Sequence, residues 1–158
     1  MRRLLLLFLL LNFTVSYSQT KKETGADPWA GTFKLDTAKS KFAMAAPKEE
    51  TVTVDAATKE SVKYSIKGTD AQGKSYTVTF DGKPGTASPQ MVDGNNAGEV
   101  TYTMLAARSF SSRMKGSDGS SSAGTVTLSK DGKTITVHET TKDAKGASHA
   151  QTAVYDRQ

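Results

Sequence analysis

The chain has 158 residues, two histidines, no cysteine and a formal net charge of +5 at pH 7. This length suits one domain, and the lack of cysteine excludes a disulfide framework. The charge is too weak and too scattered for a nucleic-acid-binding surface, so stability has to come from burial and strand pairing.

The first segment, MRRLLLLFLLLNFTVSYS, has two arginines, an apolar run from Leu4 to Leu11, and small residues at Ser16 and Ser18. This is the pattern of a secretory signal peptide cut after Ser18. Eight apolar residues in a row fall short of a membrane span, which needs about 20. No cysteine follows to carry a lipid. Cleavage removes Arg2 and Arg3 and takes the formal charge from +5 to +3. The expected location is secreted or periplasmic. Residues 19–28, QTKKETGADP, are polar and turn-rich and read as a flexible leader. The fold is expected over 29–158 as a single domain.

From Trp29 onward apolar and polar residues alternate with period two, and turn residues interrupt them. The predicted strands are 31–36, 49–55, 61–68, 74–81, 86–92, 98–105, 108–115, 122–130, 133–141 and 147–156. The fifth is the weakest. Short strands at this spacing predict an antiparallel sandwich or barrel. The stretch GSDGSSSAG, Gly116 to Gly124, reads by composition as a flexible connection.

Turn chemistry sets the register. Lys130-Asp131-Gly132-Lys133 predicts a two-residue hairpin with positive φ at Asp131 and Gly132, and Lys130 opposite Lys133. That pairing puts Leu128 opposite Ile135 and Val126 opposite Val137. A hexapeptide echo, DAQGKS at 70–75 and DAKGAS at 143–148, predicts two copies of a three-residue turn. Asp stands first and a left-handed Gly fourth. Tyr64 then faces Phe80, Ile66 faces Val78, Ile135 faces Tyr155 and Val137 faces Ala153.

Sequential hairpins give a meander, and closing it removes bare edges. The predicted fold is therefore an all-β, antiparallel up-and-down barrel of about 8–10 strands. Its predicted lining includes Phe33, Val52, Val54, Tyr64, Ile66, Tyr76, Val78, Phe80, Phe110, Met114, Val126, Leu128, Val137 and Tyr155. The outward residues are Lys, Thr, Ser and Asp, which argues against an outer-membrane barrel with its apolar outer band. No integral membrane segment is expected after cleavage.

The opening Gly31-Thr32-Phe33-Lys34-Leu35 resembles the first strand of the calycins, the lipocalin and fatty-acid-binding-protein superfamily, with Phe33 where Trp is favoured. The closing AVYDRQ resembles the last strand of its intracellular branch. More narrowly, the chain resembles small secreted bacterial proteins with a Gly-Thr-Trp-Lys-Leu opening, a group without an assigned activity. The resemblance implies a lipocalin-like barrel carrying a small apolar or amphipathic ligand as a monomer. Two features depart from it. Ala153 stands where the fatty-acid binders keep an Arg. Only DTAKSKFAMAAPKE, residues 36–49, is available for a lid, which predicts one helical turn or an irregular plug.

The register puts Glu139, Thr141, His149 and Gln151 on the inward face near one barrel end. The first hairpin carries Ile66, Gly68, Tyr76 and Val78 at the matching positions. These polar residues form a candidate head-group site above an apolar cavity lined by Tyr64, Tyr76, Phe80 and Tyr155, or simply a wet rim. His138 falls on the outer face, opposite in direction to His149, so the two do not converge on a metal. Gly146-Ala147-Ser148-His149 lacks the helix that a nucleophile elbow requires. No cofactor motif and no nucleophile–base pair emerges, and no enzyme is expected. Trp29 is either a plug in the barrel floor or an exposed contact. The alternative to a carrier is an envelope protein with a filled core that works through surface contacts.

Overall fold

The structure, a computed structural model, describes residues 27–158. Residues 1–18, expected to be a signal peptide, and most of the expected leader lie outside the described residues. Ten strands follow in order: β1 Gly31–Leu35, β2 Glu49–Ala57, β3 Val62–Thr69, β4 Ser75–Gly82, β5 Ser88–Val92, β6 Asn95–Ala106, β7 Ser109–Gly116, β8 Ser121–Leu128, β9 Thr134–Lys142 and β10 Ser148–Arg157. Each pairs with its neighbour in sequence, and β1 pairs with β10 to close the barrel. The expected fold is thus the observed one, at ten strands.

The two echoed turns are as their letters require. Gly73 and Gly146 have φ of 92° and 89°, and Asp70 N and Asp143 N donate to Lys74 O and Ala147 O at 2.9 and 3.0 Å. Asp70 Oδ1 accepts from Gln72 N and Lys74 N, and Asp143 Oδ1 accepts from Lys145 N and Ala147 N, all at 2.8–2.9 Å. Tyr64 faces Phe80 and Ile135 faces Tyr155, as expected. Replacing Asp143 by Ala removes both side-chain bonds and should cost about 1–2 kcal/mol. The expected result is a lower urea midpoint with an unchanged m-value, with Asp143→Asn closer to wild type.

The Asp131-Gly132 turn differs from its prediction. Leu128 does pair with Ile135 and Val126 with Val137, but the loop is two residues wider. Ser129 N donates to Thr134 O at 2.9 Å and Gly132 N to Ser129 O at 3.0 Å. Gly132 has positive φ and Asp131 does not. Ser129 explains the difference: its Oγ accepts from Lys133 N and Thr134 N and donates to Asp131 Oδ1. Those bonds satisfy a four-residue loop. The tight two-residue turn occurs instead at Asp93-Gly94, where both residues have positive φ, 49° and 77°, between Val92 and Asn95.

Two composition-based readings are corrected. Within Gly116–Gly124 only residues 117–120 form a turn, and Ser121–Gly124 belong to β8. Strand pairing on both sides overrides the flexible composition, because Gly124 sits between Ser112 and Glu139. A Cβ at Gly124 would fall on the His138 carbonyl. At the other end of the fold, Asp27 and Pro28 are not free leader. Asp27 Oδ2 accepts from Ala57 N at 2.6 Å, and Arg157 Nη2 donates to Pro28 O at 2.7 Å.

One end of the barrel is closed by packing. Trp29 is 2% exposed; its Nε1 donates to Ala107 O at 3.1 Å and its ring meets Phe110 edge-on at 5.5 Å. It is the floor plug of the two readings. Phe33 is fully buried beside it, and the Arg157 guanidinium lies 4.4 Å from its ring centre. Outward strand residues such as Lys63, Lys67, Thr79, Thr127 and Thr140 are exposed.

Between β1 and β2 the chain forms a strap rather than a helix. Asp36 Oδ1 accepts from Ala38 N and Lys39 N at its start. Lys41 then bridges Thr152 of β10 with two backbone bonds of 2.7 Å. Ser40 Oγ accepts from Val154 N at 2.9 Å. The strap continues the sheet where β1 leaves β10, and it brings Phe42, Met44, Ala45 and Pro47 over the open end.

Candidate functional site

The barrel encloses a cavity of about 750 Å³. Period two builds it: every second residue of each strand points inward. Val52, Val54, Ile66, Val78, Val126 and Val137 form its walls, and Trp29 and Phe110 form its floor. The mouth lies at the opposite end, between the strap, the β3–β4 turn at Asp70–Gln72 and Ser120–Ser122. Met44, 63% exposed, stands at this mouth.

Three polar groups interrupt the apolar lining. Deepest is a tyrosine pair, with the Tyr64 and Tyr102 hydroxyls 3.0 Å apart and Gln90 Nε2 donating to Tyr64 OH at 2.7 Å. The Tyr64 ring stacks on Phe80 at 5.5 Å and meets Tyr102 edge-on. The second group centres on Glu50 near the start of β2. Tyr155 OH donates to Glu50 Oε1 at 2.5 Å, and Tyr76 OH donates to Glu50 Oε2. Gly68, directly opposite Tyr76, leaves room for its ring; a Cβ there would overlap the phenol. The third group spans β9 and β10, where Gln151 Nε2 donates to Glu139 Oε2 at 3.0 Å.

These groups set the electrostatics. Burial pushes the phenols of Tyr64, Tyr102 and Tyr155 above the ordinary tyrosine range. The negative charge of Glu139 adds to the rise at all three. Tyr76 is raised by burial first and then by its bond to Glu50. The cavity reaches the rings of Tyr64 and Tyr102, which are therefore only half-buried, while their hydroxyls lie deep in the barrel. All four phenols keep their protons at neutral pH.

Of the seven residues proposed from sequence, Glu139, Gln151, Tyr64, Tyr76 and Tyr155 line the cavity. Phe80 does not; it is 3% exposed and packs behind the Tyr64 ring. His149 does not line it either. It pairs with Thr141 at the upper end of β10 and is half-buried outside the cavity wall. His138 is exposed on the outer face, with Nδ1 2.9 Å from Thr152 Oγ1.

Sequence reasoning missed Glu50, Gln90 and Tyr102. The signal was there. Glu50 continues the alternation of Val52 and Val54 one step toward the mouth. Tyr102 lies between Val100 and Met104 with the same period, and all three pack in or against the core.

No protein-family model and no curated protein matches the sequence. Solved structures do match in shape. A point mutant of the fluorescent protein UnaG has a TM-score of 0.52 at 16% identity, covering 83% of this chain and 96% of its own. A redesigned beta barrel has a TM-score of 0.52 at 11% identity over 83% and 92%. A Schistosoma mansoni fatty acid binding protein in complex with arachidonic acid has a TM-score of 0.51 at 12% identity over 83% and 96%. At these identities the likeness is one of fold. The chain is a closed, ten-stranded antiparallel barrel of the fatty-acid-binding-protein and lipocalin type.

Proposed function

We propose that this protein is a secreted or periplasmic carrier that holds one small amphipathic molecule inside its barrel. The observation that carries the proposal is the cavity: about 750 Å³, closed at the floor, open at the strap and apolar over most of its wall. Ligand pockets typically measure about 300–1,000 Å³. That volume speaks against the alternative of a filled core working through surface contacts. The signal-peptide pattern at residues 1–18 supports export. The fatty acid binding protein of the same fold, solved with arachidonic acid, supports ligand carriage by such a barrel. The protein acts as a monomer and performs no chemistry on its cargo.

The test uses Nile red, a neutral apolar dye. It is expected to bind one per chain with a blue-shifted, enhanced emission. Two variants fill the cavity from different places, Ala153→Trp in the wall and Ser122→Trp at the mouth. Each should weaken binding at least about tenfold, as expected when an apolar body loses its pocket. Dye binding equal to wild type in both folded variants would place the ligand elsewhere and refute the proposal.

A further inference from the structure

The charges of the cavity wall are one-sided. Glu50, Asp70 and Glu139 line it, and among the described residues no Lys, Arg or His does. This is so in a chain whose formal charge is +5, so the bias belongs to the interior. The three acids are not equivalent. Asp70 Oδ1 accepts from two backbone N–H groups in its turn. Both oxygens of Glu50 accept from phenols. Glu139 accepts from Gln151 at Oε2 only. Among the described residues nothing donates to its Oε1. No ion pair there involves Glu139 or Glu50; the four that form use Asp36, Asp81, Asp156 and Glu60.

Glu139 is half-buried in the wall, and the protein supplies its carboxylate with one amide, which leaves Oε1 open to the cavity for a ligand donor. Glu139 also has the right position. Val137 lies below it on β9 and Thr141 above, so it marks the boundary between the apolar wall and the mouth. A single-headed amphiphile with its tail toward Trp29 and Phe110 would bring its head group to this level. An anionic head would meet unfavourable charge there, and Ala153 offers nothing to hold it. Lys48 reaches the β3–β4 turn at Gly73 but does not line the cavity.

We infer that the barrel selects amphiphiles whose head is a protonated amine, with Glu139 Oε1 accepting a hydrogen bond from the ammonium. This inference rests on the carrier reading and names the class of cargo.

The experiment compares three twelve-carbon probes at pH 7, each below its micelle concentration: dodecylammonium, dodecanol and dodecanoate. Displacement of Nile red reads the affinity. Dodecylammonium is expected to bind about tenfold or more tighter than dodecanol, the scale of one charge-assisted hydrogen bond. Dodecanoate should bind more weakly than dodecanol. Glu139→Gln should bring the ammonium-to-alcohol ratio close to one. Thr141→Lys, a cation set two residues toward the mouth, should lower dodecylammonium affinity and raise that of dodecanoate. Dodecanoate binding as well as dodecanol, or an ammonium preference that survives Glu139→Gln, would overturn the inference and leave carriage standing. Failure of both dodecanol and Nile red to bind would overturn carriage itself.

Discussion

Replacing Phe33 by alanine is expected to lower the unfolding free energy by about 3–5 kcal/mol, the usual cost of emptying a phenylalanine site in a core. Phe33 is 0% exposed and stands at the junction that closes the barrel, between Arg157 on β10 and Val52 on β2. Its ring also supports Arg157, whose Nε, Nη1 and Nη2 donate to the carbonyls of Gly132, Ala30 and Pro28 at 2.6–2.7 Å. Removing the ring therefore loosens packing and the floor together. The loss is a large share of the roughly 5–15 kcal/mol that holds a typical domain. Phe33→Leu keeps most of the volume and should cost about half as much or less. Urea unfolding followed by circular dichroism measures both. A Phe33→Ala midpoint within error of wild type would mean the floor does not carry the fold.

The second large effect appears at high pH. Tyr64, Tyr102 and Tyr155 have phenols raised above the ordinary range by burial and by nearby carboxylates. In the unfolded chain they ionise near pH 10. Below that pH both states hold the phenol protons and these groups add no slope. Above it the unfolded chain has released them and the folded chain has not, so stability falls as pH rises. Each contributes up to about 1.4 kcal/mol per pH unit for as long as the folded chain keeps its proton. The barrel should unfold cooperatively in alkali, above the pH at which free tyrosine ionises. Tyrosinate absorbance should rise together with the loss of the strand signal. Tyrosinate appearing near pH 10 with the fold intact would show that these hydroxyls are not shielded.

Much of this molecule was legible in its sequence because period two is a strong signal where one face is buried. All ten strands, the barrel closure and most of the wall follow from alternation and from the Asp and Gly turn pairs. The Asp-Gly dipeptide was less informative alone. It makes a two-residue turn at 93–94 and a wider loop at 131–132, because Ser129 supplies extra acceptors only in the second. Serine- and glycine-rich composition made 116–124 read as a connection even though alternation already started a strand at 122; pairing with β7 and β9 settles the overlap in favour of the strand.

The site was half legible. Glu139 and Gln151 followed from register, because strand pairs β9 and β10 share one turn. Glu50 and the Tyr64–Tyr102 pair join elements far apart in the chain. Alternation tells which way Tyr102 points, but not that its hydroxyl meets that of Tyr64 across the barrel. His149 shows the opposite limit. Its direction was right, but the barrel end places it past the cavity wall.

The most direct measurement of ligand carriage is methyl NMR on the full chain with dodecanol, a neutral probe. The expected result is saturable shifts of the inward methyls of Val52, Ile66, Val78, Val126 and Val137, which line the cavity. Val154, covered by the strap, and the exposed Leu105 should stay in place. Shifts confined to Leu105 and other groups away from the cavity, or no saturable shift at all, would contradict a ligand inside the barrel.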